Sequence, residues 1–166
     1  GRLVNGAMGS VYRAVHEAAG REFAVKVLDP ALARDGVQRR RFLGEAQAAN
    51  LLKHPNIVVI YDCGVDGDDL YLVMELLLGE SLDARLQRAP MSLAESLAVG
   101  AEVALALAHA HGAGVVHRDI KPANVFLCAE APRVKVLDLG VAHMRRDEQL
   151  TATGQVLGTP GYLSPE

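Results

Sequence analysis

The stretch His117-Arg118-Asp119-Ile120-Lys121-Pro122-Ala123-Asn124 sets an acid, two strong bases and an amide within one short segment. Pro122 and the density of charge read as a loop rather than a helix or strand. Taken alone, the segment describes a solvated surface loop as well as a reactive one. Short apolar pieces flank it, Val115-Val116 before and Val125–Cys128 after, with a third at Val134–Leu137. These are the lengths and compositions of short buried strands.

Upstream of the loop, Ser92 followed three residues later by Glu95 is a capping box. It opens a long Ala/Leu helix that runs to about His111, where Gly112 and Gly114 stop it. Ser81 caps a shorter helix over Leu82–Gln87, and Gly79 marks a break before it. The part before that break reads differently. Val11–Val15 and Glu22–Leu28 alternate as strands around an Ala19-Gly20 turn. A helix over Gly36–Leu52 carries Phe42, Ala46, Ala49 and Leu52 at helical spacing. His54-Pro55-Asn56 ends it, because the residue before a proline disfavours the helical region. Two further strands, Ile57–Tyr61 and Leu70–Glu75, are separated by the turn residues Asp66-Gly67. There is no internal repeat. Strands with one helix, followed by mostly helix with short strands, predict an α+β fold in two lobes.

The chain has 166 residues, half of them hydrophobic, which is enough for a domain with a real core. A net charge of −3 gives no electrostatic case for nucleic acid. The most apolar run, Leu93–Ala110, is interrupted by Glu95, Glu102 and His109, so no membrane-spanning segment is expected. No basic-then-apolar leader pattern opens the chain. Cys63 and Cys128 stand far apart in apolar surroundings and read as reduced core thiols, which points to a cytoplasmic setting.

The chain resembles a Hanks-type serine/threonine protein kinase, and its wording is similar to that of bacterial members. The loop at 117–124 matches the catalytic loop of that family at its diagnostic positions. Asp138-Leu139-Gly140 stands where the family has Asp-Phe-Gly, and Gly158–Glu166 resembles the end of the activation segment. Ala24-Val25-Lys26 in a strand and Glu45 on the next helix complete the series in family order. The resemblance implies a two-lobe kinase fold: a β-rich small lobe over 1–75, a hinge at 76–80, and the start of the large lobe from 81 to 166. It also implies that the family fold continues past Glu166, so that the isolated chain is expected to be a truncated domain.

What the resemblance implies for chemistry is phosphoryl transfer from ATP, with Mg²⁺, to serine or threonine hydroxyls of a protein. Asp119 would take the proton of the accepting hydroxyl, and Lys121 would neutralise charge on the transferring phosphate. Lys26 would hold the α/β phosphates and Glu45 would fix Lys26. Asn124 and Asp138 are hard oxygen donors suited to Mg²⁺. Gly6 and Gly9 keep two of the three glycines of the phosphate-covering loop, with Val4 in place of the first. Adenine would lie at the lobe junction, among Leu3, Val11, Ala24, Phe126 and the gatekeeper Met74. There the backbone of Glu75 and Leu77 would provide its hydrogen bonds. Leu139 replaces the family Phe as a smaller apolar packing residue, and His117 would be packed and hydrogen-bonded rather than catalytic.

Lys121 and Gly158-Thr159-Pro160 resemble serine/threonine rather than tyrosine kinases, with Thr159 a structural contact near Asp119. Arg118 would pair with phosphate on Thr151 or Thr153, introduced by self-association and autophosphorylation. Two rival readings stand beside an active kinase. One is a nucleotide-binding pseudokinase scaffold, for which only Val4 speaks. The other is an inactive fragment. A membrane anchor outside this stretch is compatible with all three.

Overall fold

A computed structural model describes residues 1–6, 9–131, 133–138 and 160–162, without the side chains of 5, 41 and 45–51. Five strands form the first sheet: β1 (Arg2–Gly6), β2 (Gly9–Val15), β3 (Glu22–Leu28), β4 (Ile60–Asp66) and β5 (Asp69–Glu75). Their spatial order is β1-β2-β3-β5-β4, antiparallel throughout. Between β3 and β4 the chain makes a short helix, α1 (Pro30–Ala33), and a long one, α2 (Gly36–Leu51). Asp29 caps α1 by accepting from the amide of Ala31, and Pro30 occupies the first turn, where its missing N–H costs nothing.

The alternation in β3 has a direct cause. Ala24, Lys26 and Leu28 are buried and their neighbours are half-exposed, so one face of the strand turns inward. Leu28 joins Ala33, Phe42, Ile60, Leu70 and Leu72 in the small-lobe core. Phe42, 1 % exposed, is a side chain by which α2 docks on this sheet, with Leu43 packed beside the same core. Burying Phe42 contributes about 1.5–3 kcal/mol.

From Gly79 onward the architecture changes. β6 (Gly79–Ser81), β7 (Val125–Cys128) and β8 (Val134–Val136) form a three-stranded sheet in that order. Between β6 and β7 lie α3 (Leu82–Arg88), α4 (Leu93–Gly112) and the loop at 113–124, whose end winds into a 3-10 turn, Pro122–Asn124. Ser92 and Glu95 form the capping box read from the sequence, with both reciprocal bonds present. The second core gathers Ala106 and Ala110 of α4 with Val115, Val136, Leu52 and Ile57. Leu52 and Ile57 precede β4 in the chain, so this core also anchors the small lobe.

Three expectations need correction. The strand expected at Ile57–Tyr61 begins only at Ile60 and runs to Asp66. Ile57 and Val58 instead leave the sheet. Ile57 makes a parallel bridge to Val136, and the Val58 amide donates to the Val136 carbonyl at 3.0 Å. Gly79 is less a break than a strand start: at φ 147°, a Cβ there would run into the Leu127 carbonyl of β7. Lastly, α4 is long and apolar enough by length and composition to cross a membrane, with mean hydropathy 1.4. Its one mid-helix charge, Glu102, accepts from Asn56 Nδ2 at 2.7 Å and from the Val134 amide at 3.1 Å, which ties the helix to β8. Both cysteines are free and half-buried, and burial raises the pKa of the Cys128 thiol.

Candidate functional site

The register of β7 against β8 assembles the site. Val125 lies opposite Val136, and the Leu137 amide donates to the Asn124 carbonyl at 2.9 Å. Asn124, at the end of the 117–124 loop, is thereby set beside Leu137 and Asp138. Asn124 is buried, and its Nδ2 donates to the Asp119 carbonyl at 2.9 Å and to Asp119 Oδ2 at 3.1 Å. Both acceptors are oxygens, so the amide orientation is fixed and its carbonyl oxygen is turned away from Asp119. Lys121 Nζ meets the same Asp119 Oδ2 at 2.8 Å. Asp119 is thus a carboxylate positioned by a cation and an amide from the next turn of its own loop.

Asp138 closes the site across the lobes. Its Oδ1 lies 2.6 Å from Nζ of Lys26, a side chain 112 residues away in sequence and buried in the small-lobe sheet. A buried lysine needs an anionic partner, and a carboxylate at that distance provides one. The side chain of Glu45, the partner expected for Lys26, lies outside the described part of α2.

Backbone conformation marks the same positions. Among the described residues, Arg118 and Asp138 are the non-glycine residues with positive φ, at 63° and 53°. Left-handed backbone costs about 1–2 kcal/mol for such residues. Here it turns Asp119 and Asp138 out of the flanking extended segments. His117, 1 % exposed, anchors the turn from behind: its Nε2 donates to the Leu137 carbonyl at 2.9 Å, and its Nδ1 accepts from the Asp119 amide at 3.3 Å. One nitrogen donates and the other accepts, which is the neutral imidazole. Burial lowers its pKa accordingly.

Of the residues expected on the nucleotide side, Leu3, Gly6, Gly9, Val11, Ala24, Lys26, Met74 and Glu75 lie on the first sheet. Gly6 pairs with Gly9 across the β1–β2 turn. At Gly9 (φ 140°) a Cβ would run into the Val27 carbonyl, so β2 can approach β3 there only as glycine. At Gly6 a Cβ would make an ordinary 3.7 Å contact, so packing within the chain does not require glycine at that position. Val11 sits opposite Lys26, Ala24 sits opposite Met74, and Met74 packs against the small-lobe core. Leu3 and Val4 on β1 are exposed. Leu77 lies in the connector between β5 and β6, and Phe126 pairs with Ser81 across β6–β7. Leu139, Thr151, Thr153 and Thr159 lie outside the described residues.

Sequence reading missed one charged pair near the site. Lys135, 7 % exposed, meets Glu75 Oε1 at 2.6 Å. The available signal was a lysine between two apolar residues in Val134-Lys135-Val136, since a strand buried on both faces cannot leave such a charge unpaired.

Among the described residues, no three His, Cys, Asp or Glu side chains cluster as a metal cage. The neighbouring hard donors Asn124 and Asp138 fit Mg²⁺ of the kind held by one or two protein oxygens together with substrate phosphates.

Comparison with known proteins agrees with this geometry. The sequence profile described as "Protein kinase domain" matches residues 2–166. The chain is 42 % identical over 162 residues to serine/threonine-protein kinase PrkC of Bacillus subtilis, covering 97 % of this chain and 25 % of that protein. It is 43 % identical over 164 residues to serine/threonine-protein kinase PknJ of Mycobacterium tuberculosis, covering 97 % of this chain and 28 % of the relative. It therefore spans about a quarter of the length of these curated relatives. Among solved structures, the PknI kinase domain of Mycobacterium tuberculosis superposes with TM-score 0.74 at 37 % identity, over 84 % of this chain and 56 % of that one. A two-lobe fold with these elements, and a matching profile from Arg2 to Glu166, place the chain in the protein kinase family.

Proposed function

We propose that this chain carries the nucleotide-binding and phosphoryl-transfer part of a serine/threonine protein kinase that uses ATP and Mg²⁺. The observation that carries the reading is a series of contacts: Lys121 and Asn124 both meet Asp119, the Asn124 carbonyl accepts from the amide of Leu137, and Asp138, the next residue, meets Lys26. It supports a reading in which Asp119 is the base, Asn124 and Asp138 are hard oxygen donors, and Lys26 is the phosphate-binding cation. Phosphoryl transfer needs that combination of placement and charge neutralisation more than covalent chemistry.

In this reading the cleft binds ATP with its adenine against Ala24, Val11 and Phe126, beneath the glycine turn at Gly6 and Gly9. The backbone of Glu75 and Leu77 holds the adenine edge. Lys26 orients the α/β phosphates, and Glu45 supports it from α2. Asn124 and Asp138 would hold Mg²⁺, which would neutralise charge on the phosphates. Asp119 accepts the proton of a serine or threonine hydroxyl, and Lys121, already on Asp119 Oδ2, offsets charge at the transferred group. A supply of ATP places such a site in the cytoplasm. Arg118 is exposed beside Asp119, where a phosphate on Thr151 or Thr153, added by a second copy, would find a cation.

The test is transfer of the γ-phosphate of Mg-ATP by the full-length protein to a generic protein substrate, with the modified residues identified by mass spectrometry. Phosphoserine and phosphothreonine, lost on chelation of Mg²⁺, are expected. ATP binding with no transfer would instead favour a pseudokinase scaffold, and phosphotyrosine alone would overturn the substrate class.

A further inference from the structure

The side chains of Glu75 and Lys135 take no part in the roles above, yet their pairing holds the segment on which adenine recognition would depend. Met74 and Glu75 are neighbours on β5, so their side chains leave opposite faces of the sheet. Met74 lies across from Ala24 on the face that carries Lys26, and Glu75 therefore points away from the phosphate-binding lysine. There Glu75 is gripped twice. Its Oε1 accepts from Lys135 Nζ at 2.6 Å and from the Val59 amide at 2.8 Å, while its own amide donates to the Val59 carbonyl at 3.0 Å. Lys135 Nζ also reaches the Ile57 carbonyl at 3.4 Å.

Lys135 stands three residues before Asp138. Its neighbour Val136 exchanges backbone bonds with the 56–58 segment: the Val136 amide donates to Asn56 and the Val58 amide donates to Val136. One carboxylate oxygen thus joins the end of β5, the segment before β4 and the strand that delivers Asp138. A buried ion pair adds little net stability, because desolvation offsets its attraction. What it supplies is direction, since each of these bonds fixes an angle.

We propose that Glu75 and Lys135 form a clamp of positioning residues, setting the connector after β5 at the angle at which the Glu75 carbonyl and the Leu77 backbone receive adenine. The inference rests on the nucleotide-binding reading above. It makes the clamp a determinant of ATP affinity rather than of the transfer step.

The test uses the full-length protein with Glu75→Gln, Lys135→Met and the double variant. Two quantities are read: Kd for a fluorescent ATP analogue, by titration, and KM against kcat for ATP. Each single variant is expected to weaken nucleotide binding at least about threefold, with kcat within about twofold of the parent. The double variant should be no worse than the poorer single one, because the two residues act as one unit. If Lys135→Met fails to fold, Glu75→Gln, which matches the carboxylate in shape and retains an oxygen for the Val59 amide, carries the test alone. Unchanged Kd and KM in the folded variants would overturn the clamp. So would independent, multiplying effects, or a fall in kcat at constant KM. If the parent binds the analogue but transfers no phosphate, the kinase reading fails while Kd still decides the clamp; a parent that binds no nucleotide defeats both.

Discussion

Single residues at and near the 117–124 loop show how backbone strain and hydrogen bonding divide the work. Arg118 at φ 63° and Asp138 at φ 53° are held by what surrounds them, and His117 is the nearest support. Its imidazole is neutral in the fold because burial lowers its pKa below the ordinary value of 6.5. The unfolded chain therefore binds the proton first as pH falls. Stability linked to His117 is fully present above about pH 6.5 and is lost as pH drops through the lowered folded value. Chemical denaturation between pH 7.5 and about 5 should thus show a parent that loses stability relative to His117→Gln, whose amide can still donate to Leu137. Parallel pH curves would show that folding leaves the imidazole's pKa unchanged and would contradict this account. The identities of Asp119, Asn124 and Asp138 were legible in the sequence, because the family motif is local. Their conformations were not: positive φ at an arginine or aspartate has no sequence signature and is imposed by the burial of His117 and the β7–β8 pairing.

Elements behaved according to how local their causes are. The capping box at Ser92 and Glu95 depends on residues three apart, and the structure forms it as the sequence reads. Hydrogen bonds from the Ser92 backbone and hydroxyl hold the Glu95 carboxyl below its usual range. Ser92→Ala should lower thermal stability by about 0.5–2 kcal/mol, measured by calorimetry, without altering ATP affinity. The segment at 57–60 is the opposite case. Ile57-Val58-Val59-Ile60 has the β-branched composition of a strand, but Ile57 and Val58 are drawn to Val136 and the α4 core instead. Tertiary burial overrode local propensity there. The short β6 escaped notice because, among the described residues, its three pair only with β7, nearly fifty residues on.

At the scale of the whole molecule, two cores meet at a site that neither lobe completes alone. The small-lobe core is keyed by Phe42, and Phe42→Ala should cost about 3–5 kcal/mol in denaturant unfolding. The two-lobe division was visible in the change from strand-rich to helix-rich sequence near Gly79. The Lys26–Asp138 and Glu75–Lys135 contacts were not, since only folding brings residues so far apart in sequence together. One face of α4 leaves Leu93, Leu97 and Leu105 at 76 %, 64 % and 60 % exposed. In the 166-residue chain alone, Leu97→Ser with Leu105→Ser should reduce self-association seen by light scattering, as expected when an apolar patch is removed.

The central claim is that Asp119 acts on the hydroxyl while the rest of the site holds the nucleotide. Its most direct test is single-turnover phosphoryl transfer by full-length Asp119→Asn, beside a titration of its ATP affinity. The account predicts a loss of about 10²–10⁴ in the transfer rate, with ATP bound within a few-fold of the parent. Transfer at the parental rate would contradict it, because the proton would then have another acceptor.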